Sequence, residues 1–244
     1  MSPSHPTPRK ALLLVYRRID FLADSQKTRF VHTLADTEIE DAMESFRHFP
    51  ELVTELTHGL VLIESEIVFA ERILATLTAT GPHQYWPSPD DTRPELDTVA
   101  PAYRYDSVFV LWPQNNLATG SSISSAGWGL AIAAGPWSNW ATYATVANAR
   151  SATWKVPRSG EVWLHEWLHG VCGFFANRGI RMPDGDADGG GRHGYQQSPV
   201  SGWTDYYRDL MTANVLENGR RLGIPVEAWP GWGTKRSQEL ESRS

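Results

Sequence analysis

Residues 161–179, EVWLHEWLHGVCGFFANRG, place His165 and His169 four positions apart, with Glu166 directly after the first histidine. On a helix, positions i and i+4 share a face about one turn apart, so both imidazoles can converge on a single ion. Glu166 then stands beside that ion without ligating it, where its carboxylate can accept a proton from a metal-bound water. The neighbouring Trp163, Leu164, Trp167 and Leu168 are bulky and apolar, which places this helix in the interior. Two neutral imidazoles without partners would be costly there. The bland alternative is a pair of hydrogen-bonded core histidines.

A catalytic zinc site takes three protein ligands and keeps one position open. The loop 182–195, MPDGDADGGGRHGY, offers Asp184, Asp186, Asp188 and His193. His193 is the first choice, because a neutral imidazole suits zinc and the flanking glycines let the backbone approach closely. Asp184, Asp186 and Asp188 also spell DxDxDG, the opening of a calcium loop, although Tyr195 stands where the bidentate glutamate would be. Cys172 lies seven positions after His165, yet a lone cysteine is more simply a small buried hydrophobe, and Met211 a core methionine.

HEWLH on a helix that follows mixed strands resembles the zincin metallopeptidases. The resemblance implies an α+β, zincin-like single domain: a mixed β-sheet packed on the HExxH active-site helix, with further helices. It implies zinc ligands at His165 and His169 and a general base at Glu166. It also allows a carboxylate third ligand, for which Asp186 or Asp184 would serve, or Asp205, Asp209 or Glu217 reaching back from the last helix. A tyrosine after the ligand loop would steady the oxyanion, and Tyr195 and Tyr207 are the candidates, with Tyr206 beside them. An edge strand before the helix would pair with an extended substrate, and ATYATV, 141–146, lies where that strand belongs. The metzincin continuation HExxHxxGxxH is absent, since Cys172 occupies its glycine position and Phe175 its third histidine position.

The leading expectation is therefore a zinc-dependent hydrolase, most simply a metallopeptidase acting on a peptide or protein substrate. Two histidines and a carboxylate would equally suit Fe2+ in a 2-oxoglutarate-dependent oxygenase that modifies a peptide. An aspartate third ligand would favour that alternative and His193 would count against it. A non-enzymatic, metal-stabilised binding module is the third possibility, marked by a closed coordination shell.

These residues need a scaffold to position them, and 244 residues suffice to bury a substantial core. The chain divides into a loose tail over 1–9, one catalytic domain over 10–233 and a second loose tail over 234–244. The net charge of −6 with scattered basic residues speaks against nucleic acid and against an anionic membrane surface. A single cysteine rules out an intrachain disulfide framework. No apolar stretch approaches the length that spans a bilayer, and no signal peptide stands out, so cytoplasmic residence is the default and secretion stays open.

ALLLVY, 11–16, reads as a first strand, and TEIE, 37–40, as a capping box opening a helix that Pro50 kinks or restarts. Residues 60–69 suggest a strand, with 70–77 able to continue as helix. Residues 81–95 are dense in turn formers and read as a long surface loop. Strands follow at YDSVFVLWP and GWGLAIA, and then at ATYATVAN, whose alternation suits an edge or half-buried strand. The motif helix should run from 161 to about 176, and an amphipathic helix over 204–218 closes the domain. The tryptophans between Trp112 and Trp167 could line an aromatic cleft but more simply pack the core.

Overall fold

A computed structural model of the chain describes residues 7–23 and 29–233. The chain opens with β1 (Arg9–Val15), the hairpin β2 (Arg18–Leu22) and β3 (Arg29–Thr33), helix α1 (Asp36–Leu56) and β4 (Ile63–Phe69). A second hairpin, β5 (Thr78–Gly81) and β6 (Gln84–Trp86), leads to α2 (Arg93–Val99), β7 (Ser107–Trp112), β8 (Gly129–Ile132) and β9 (Thr142–Ala147). Then come α3 (Ser151–Lys155), the motif helix α4 (Glu161–Ala176), α5 (Thr204–Met211) and the hairpin β10 (Val215–Glu217) and β11 (Arg220–Leu222). Of the expected tails, 1–6 and 234–244 lie outside the described residues, while Arg9 already belongs to β1.

The central sheet has the order β4-β1-β7-β9-β8. β4, β1, β7 and β9 are parallel, and β8 joins β9 antiparallel. Because side chains alternate along a strand, each central strand feeds two cores. Leu13 and Val15, Phe109 and Leu111, and Ala144 and Val146 face the layer made by α1, α4 and α5. Leu12 and Leu14, Val108 and Val110, and Tyr143 face the opposite layer, with Ile19, Leu74, Trp86 and Leu96. Burial on both faces explains why β1 and β7 read as nearly unbroken apolar runs.

The ATYATV segment is not an edge. β9 is hydrogen-bonded to β7 on one side and β8 on the other, and all six of its residues are buried. Its threonines are polar without being exposed: Thr142 shares a 2.7 Å hydrogen bond with Ser107, and Thr145 donates to the Leu130 carbonyl. The expected substrate-pairing strand at 141–146 is therefore enclosed, and β8 takes the edge.

Several local expectations shift for identifiable reasons. Helix α1 starts two residues earlier than the expected box: Glu38, not Glu40, accepts the Ala35 amide at 2.9 Å. The helix runs unbroken through Pro50. Residues 70–77 do not continue as helix; Leu74 bridges to Ile19. The 81–95 region folds against the sheet, burying Trp86, Ser88, Thr92 and Glu95, with Tyr143 hydroxyl donating to the Pro87 carbonyl. The last helix ends at Met211; Ala213 at φ +53° turns the chain, and Val215 enters β10. Among the described residues no helix is long and apolar enough to cross a membrane.

α4 holds the expected bounds, and close packing fixes its position. Gly160, its N-cap, adopts φ +88°, and a side chain there would press within 2.9 Å of the α1 backbone at His48 and Phe49. Its amide is satisfied by Ser45 Oγ at 3.0 Å. Leu164, Leu168 and Val171 are fully buried in the core that α4 shares with α1 and α5. Cutting one of those leucines to alanine costs about 2–5 kcal/mol. Of the tryptophans between Trp112 and Trp167, Trp112, Trp154, Trp163 and Trp167 are core residues, whereas Trp128, Trp137 and Trp140 keep some exposure.

Candidate metal centre

His165 and His169 project from one face of α4, with their Nε2 atoms 3.3 Å apart. Asp188 reaches the same point from the glycine-rich loop: its Oδ1 lies 3.4 Å from His165 Nε2 and its Oδ2 3.8 Å from His169 Nε2. Donor atoms of these three residues lie within 4.8 Å of one another, a group that could hold a metal ion. Two imidazoles binding one tetrahedral ion at about 2.0–2.1 Å would stand about 3.3 Å apart.

The opposite ring nitrogens are both occupied. His169 Nδ1 donates to Asp186 Oδ1 at 2.6 Å, and His165 Nδ1 lies 2.9 Å from the Tyr207 hydroxyl. With a proton on each Nδ1, both Nε2 lone pairs face each other and the Asp188 carboxylate. Three electron-rich groups converging in this way need a proton or a cation between them, so the donor set fits a divalent ion. Asp186, expected as an alternative ligand, is instead bonded to His169 Nδ1, behind the three converging donors. Tyr207, expected at the oxyanion, is buried and turned to His165.

Burial, with the charge of His169, pulls the His165 pKa down to about 4, which favours the neutral ring. Burial would also lower His169, but the bond to Asp186 and the nearby Glu166 and Asp188 charges outweigh it and leave it raised. Asp188 is the exposed side of the group, its side chain 66 % accessible, so the donors open toward solvent there.

Glu166 is buried beside the donors without joining them. Its Oε1 lies 3.9 Å from His165 Nε2, and its Oε2 is enclosed without a hydrogen-bond partner among the described residues. Burial raises its pKa to about 7. What shapes this space is Gly129, the first residue of β8: a Cβ there would fall on the Glu166 carboxylate. No spacing in the sequence links a glycine 37 positions away to the motif.

The remaining candidates lie elsewhere. His193 is not in the group; its Nε2 is 2.9 Å from the Asp184 carbonyl and its side chain is 6 % exposed. Asp184 pairs with Arg192 at 2.9 Å. Asp186 and Asp188 turn to His169 and His165 while Asp184 turns to Arg192, so the three aspartates are not gathered into one group among the described residues. Tyr195 donates to Asp209 at 2.7 Å, and Arg208 binds Asp205 and Asp209, so these residues make their own network. Cys172 is buried, which raises its thiol pKa, and Met211 is a core residue. Beside His169 a cavity of about 420 Å³ is lined by Cys172, Ala176, Met182, Asp186 and Asp188.

No protein-family model matches the chain, and no curated protein does. Among solved structures, the crystal structure of metalloproteinase-II from Bacteroides fragilis aligns with a TM-score of 0.41 at 11 % identity, over 83 % of this chain and 50 % of that one. The chain thus spans about half the length of that structure.

Proposed function

We propose that the protein is a zinc-dependent hydrolase that cleaves a peptide or amide bond. The observation that carries this reading is Glu166, a carboxylate buried next to the His165, His169 and Asp188 donors with an unpartnered oxygen. Zinc, when bound, supplies Lewis acidity and lowers the pKa of water toward neutrality. Glu166 takes up a proton at its carboxylate and returns it to the leaving amine. Asp186, an obligate acceptor, holds His169 in the ligating tautomer, and Tyr207 fixes the orientation of the His165 ring. The outer edge of β8 offers backbone groups to an extended substrate, and the cavity beside His169 gives room for a side chain.

The test is paired. Purified protein should carry about one zinc per chain, and Glu166→Gln should keep that zinc while losing about 10²- to 10⁴-fold in turnover. Full turnover in the variant would remove the mechanism.

Asp188 as third donor also favours a second reading, since two histidines and one carboxylate make the set used by non-haem iron oxygenases. In that case turnover would need Fe(II) and 2-oxoglutarate, and Glu166→Gln would leave it nearly intact. A purely structural metal would instead need a closed shell, which the exposed Asp188 side argues against.

A further inference from the structure

We propose that Glu217 and His193 are positioning residues that latch the metal-binding loop, an inference that rests on the metal reading of His165, His169 and Asp188. The loop carries Gly185, Gly189, Gly190 and Gly191, a composition with much backbone freedom to lose on ordering. Its two functional carboxylates, Asp186 and Asp188, need fixed points nearby. Asp184, two residues before the first of them, has both backbone polar groups engaged by side chains. Its amide donates to Glu217 Oε2 at 2.8 Å, and its carbonyl accepts from His193 Nε2 at 2.9 Å. Glu217 Oε2 also lies 3.6 Å from His193 Nε2.

The latch reaches outside the loop. Glu217 belongs to β10 and pairs with Arg220 at the tip of the terminal hairpin. The His193 ring lies parallel to Tyr206 of α5, 10° between planes, and Tyr206 donates to the Asp186 carbonyl. At Gly189 a side chain would collide with the Tyr206 hydroxyl and the Asp184 carbonyl, so the turn closes tightly around this contact. The hydrogen bond to a carboxylate is the stronger, charge-assisted kind. The terminal hairpin therefore sets where Asp186 meets His169 and where Asp188 meets both Nε2 atoms.

The experiment measures zinc affinity by chelator competition, and amide hydrogen exchange over 184–188 in the zinc-free protein, for wild type, Glu217→Ala, Glu217→Gln and His193→Ala. Glu217→Ala and His193→Ala should weaken zinc binding about 10- to 100-fold, the usual cost of removing an outer partner of a metal site. They should also speed exchange at the Asp184 amide or its neighbours. Glu217→Gln keeps an oxygen for the Asp184 amide and should restore both readouts to within about threefold of wild type. Wild-type affinity and exchange in both alanine variants, or a glutamine variant as impaired as alanine, would overturn the latch. If wild type binds no zinc, the metal reading fails, and the exchange measurement still decides the latch on its own. Should Glu217→Ala not fold, His193→Ala and Glu217→Gln carry the comparison.

Discussion

His165 and His169 turn their Nε2 atoms toward each other at 3.3 Å, while Tyr207 and Asp186 hold their Nδ1 atoms. The two rings are therefore fixed from behind and leave one nitrogen each for a shared partner. A helical i, i+4 spacing brings such rings close, but it does not choose which nitrogen faces inward. That choice is made by residues on other elements, the 186–188 turn and α5.

Gly129→Ala should act like a lesion at Glu166, although the two residues sit on different elements. The added methyl occupies the place of the carboxylate, so Glu166 must move by about the size of that group. Displacements of about 1 Å at a reacting group cost about 10²-fold in rate. The expected outcome is a loss of that order in kcat, with zinc content unchanged. Turnover close to wild type would show that Glu166 does not act from this position.

Tyr207→Phe separates two roles for that tyrosine. As the partner of His165 Nδ1 at 2.9 Å, its hydroxyl should matter for zinc affinity, with a loss of about 10-fold or more by equilibrium competition. An oxyanion donor would instead lower kcat at saturating zinc and leave affinity alone.

A pH effect on stability should follow from Glu161, the first residue of α4. Its carboxyl pKa is raised, chiefly by burial, against the lowering effect of the bond from the Trp203 amide. A group whose folded pKa lies above its unfolded value contributes stability below the ordinary glutamate range and loses it as pH rises through the folded value. Thermal melts from pH 4 to pH 8 should therefore show Glu161→Gln gaining on wild type as pH rises. A difference that does not change with pH would contradict this.

The motif helix and the two central strands were legible because their signals are local: HEWLH has fixed spacing, and β1 and β7 are continuous apolar runs. The third donor was not legible. Asp184, Asp186, Asp188 and His193 stand within ten residues in a loop whose course depends on positive φ at Gly185 and Asp186, and that course alone decides which side chain turns to the helix. The strand at 141–146 misled for another reason. Its threonines, Thr142 and Thr145, look solvent-facing, but Ser107 and the Leu130 carbonyl satisfy them inside the sheet. The closing helix was overextended because Val215 fits a helical stripe as well as it fits a short strand.

The most direct test of the metal centre is a crystal structure of the zinc-loaded protein with anomalous diffraction measured on both sides of the zinc absorption edge. The expected result is one zinc peak bonded to His165 Nε2, His169 Nε2 and Asp188, with a further position open on the side of Glu166. A peak bonded to His193 in place of Asp188, or no peak between the two histidines, would contradict it.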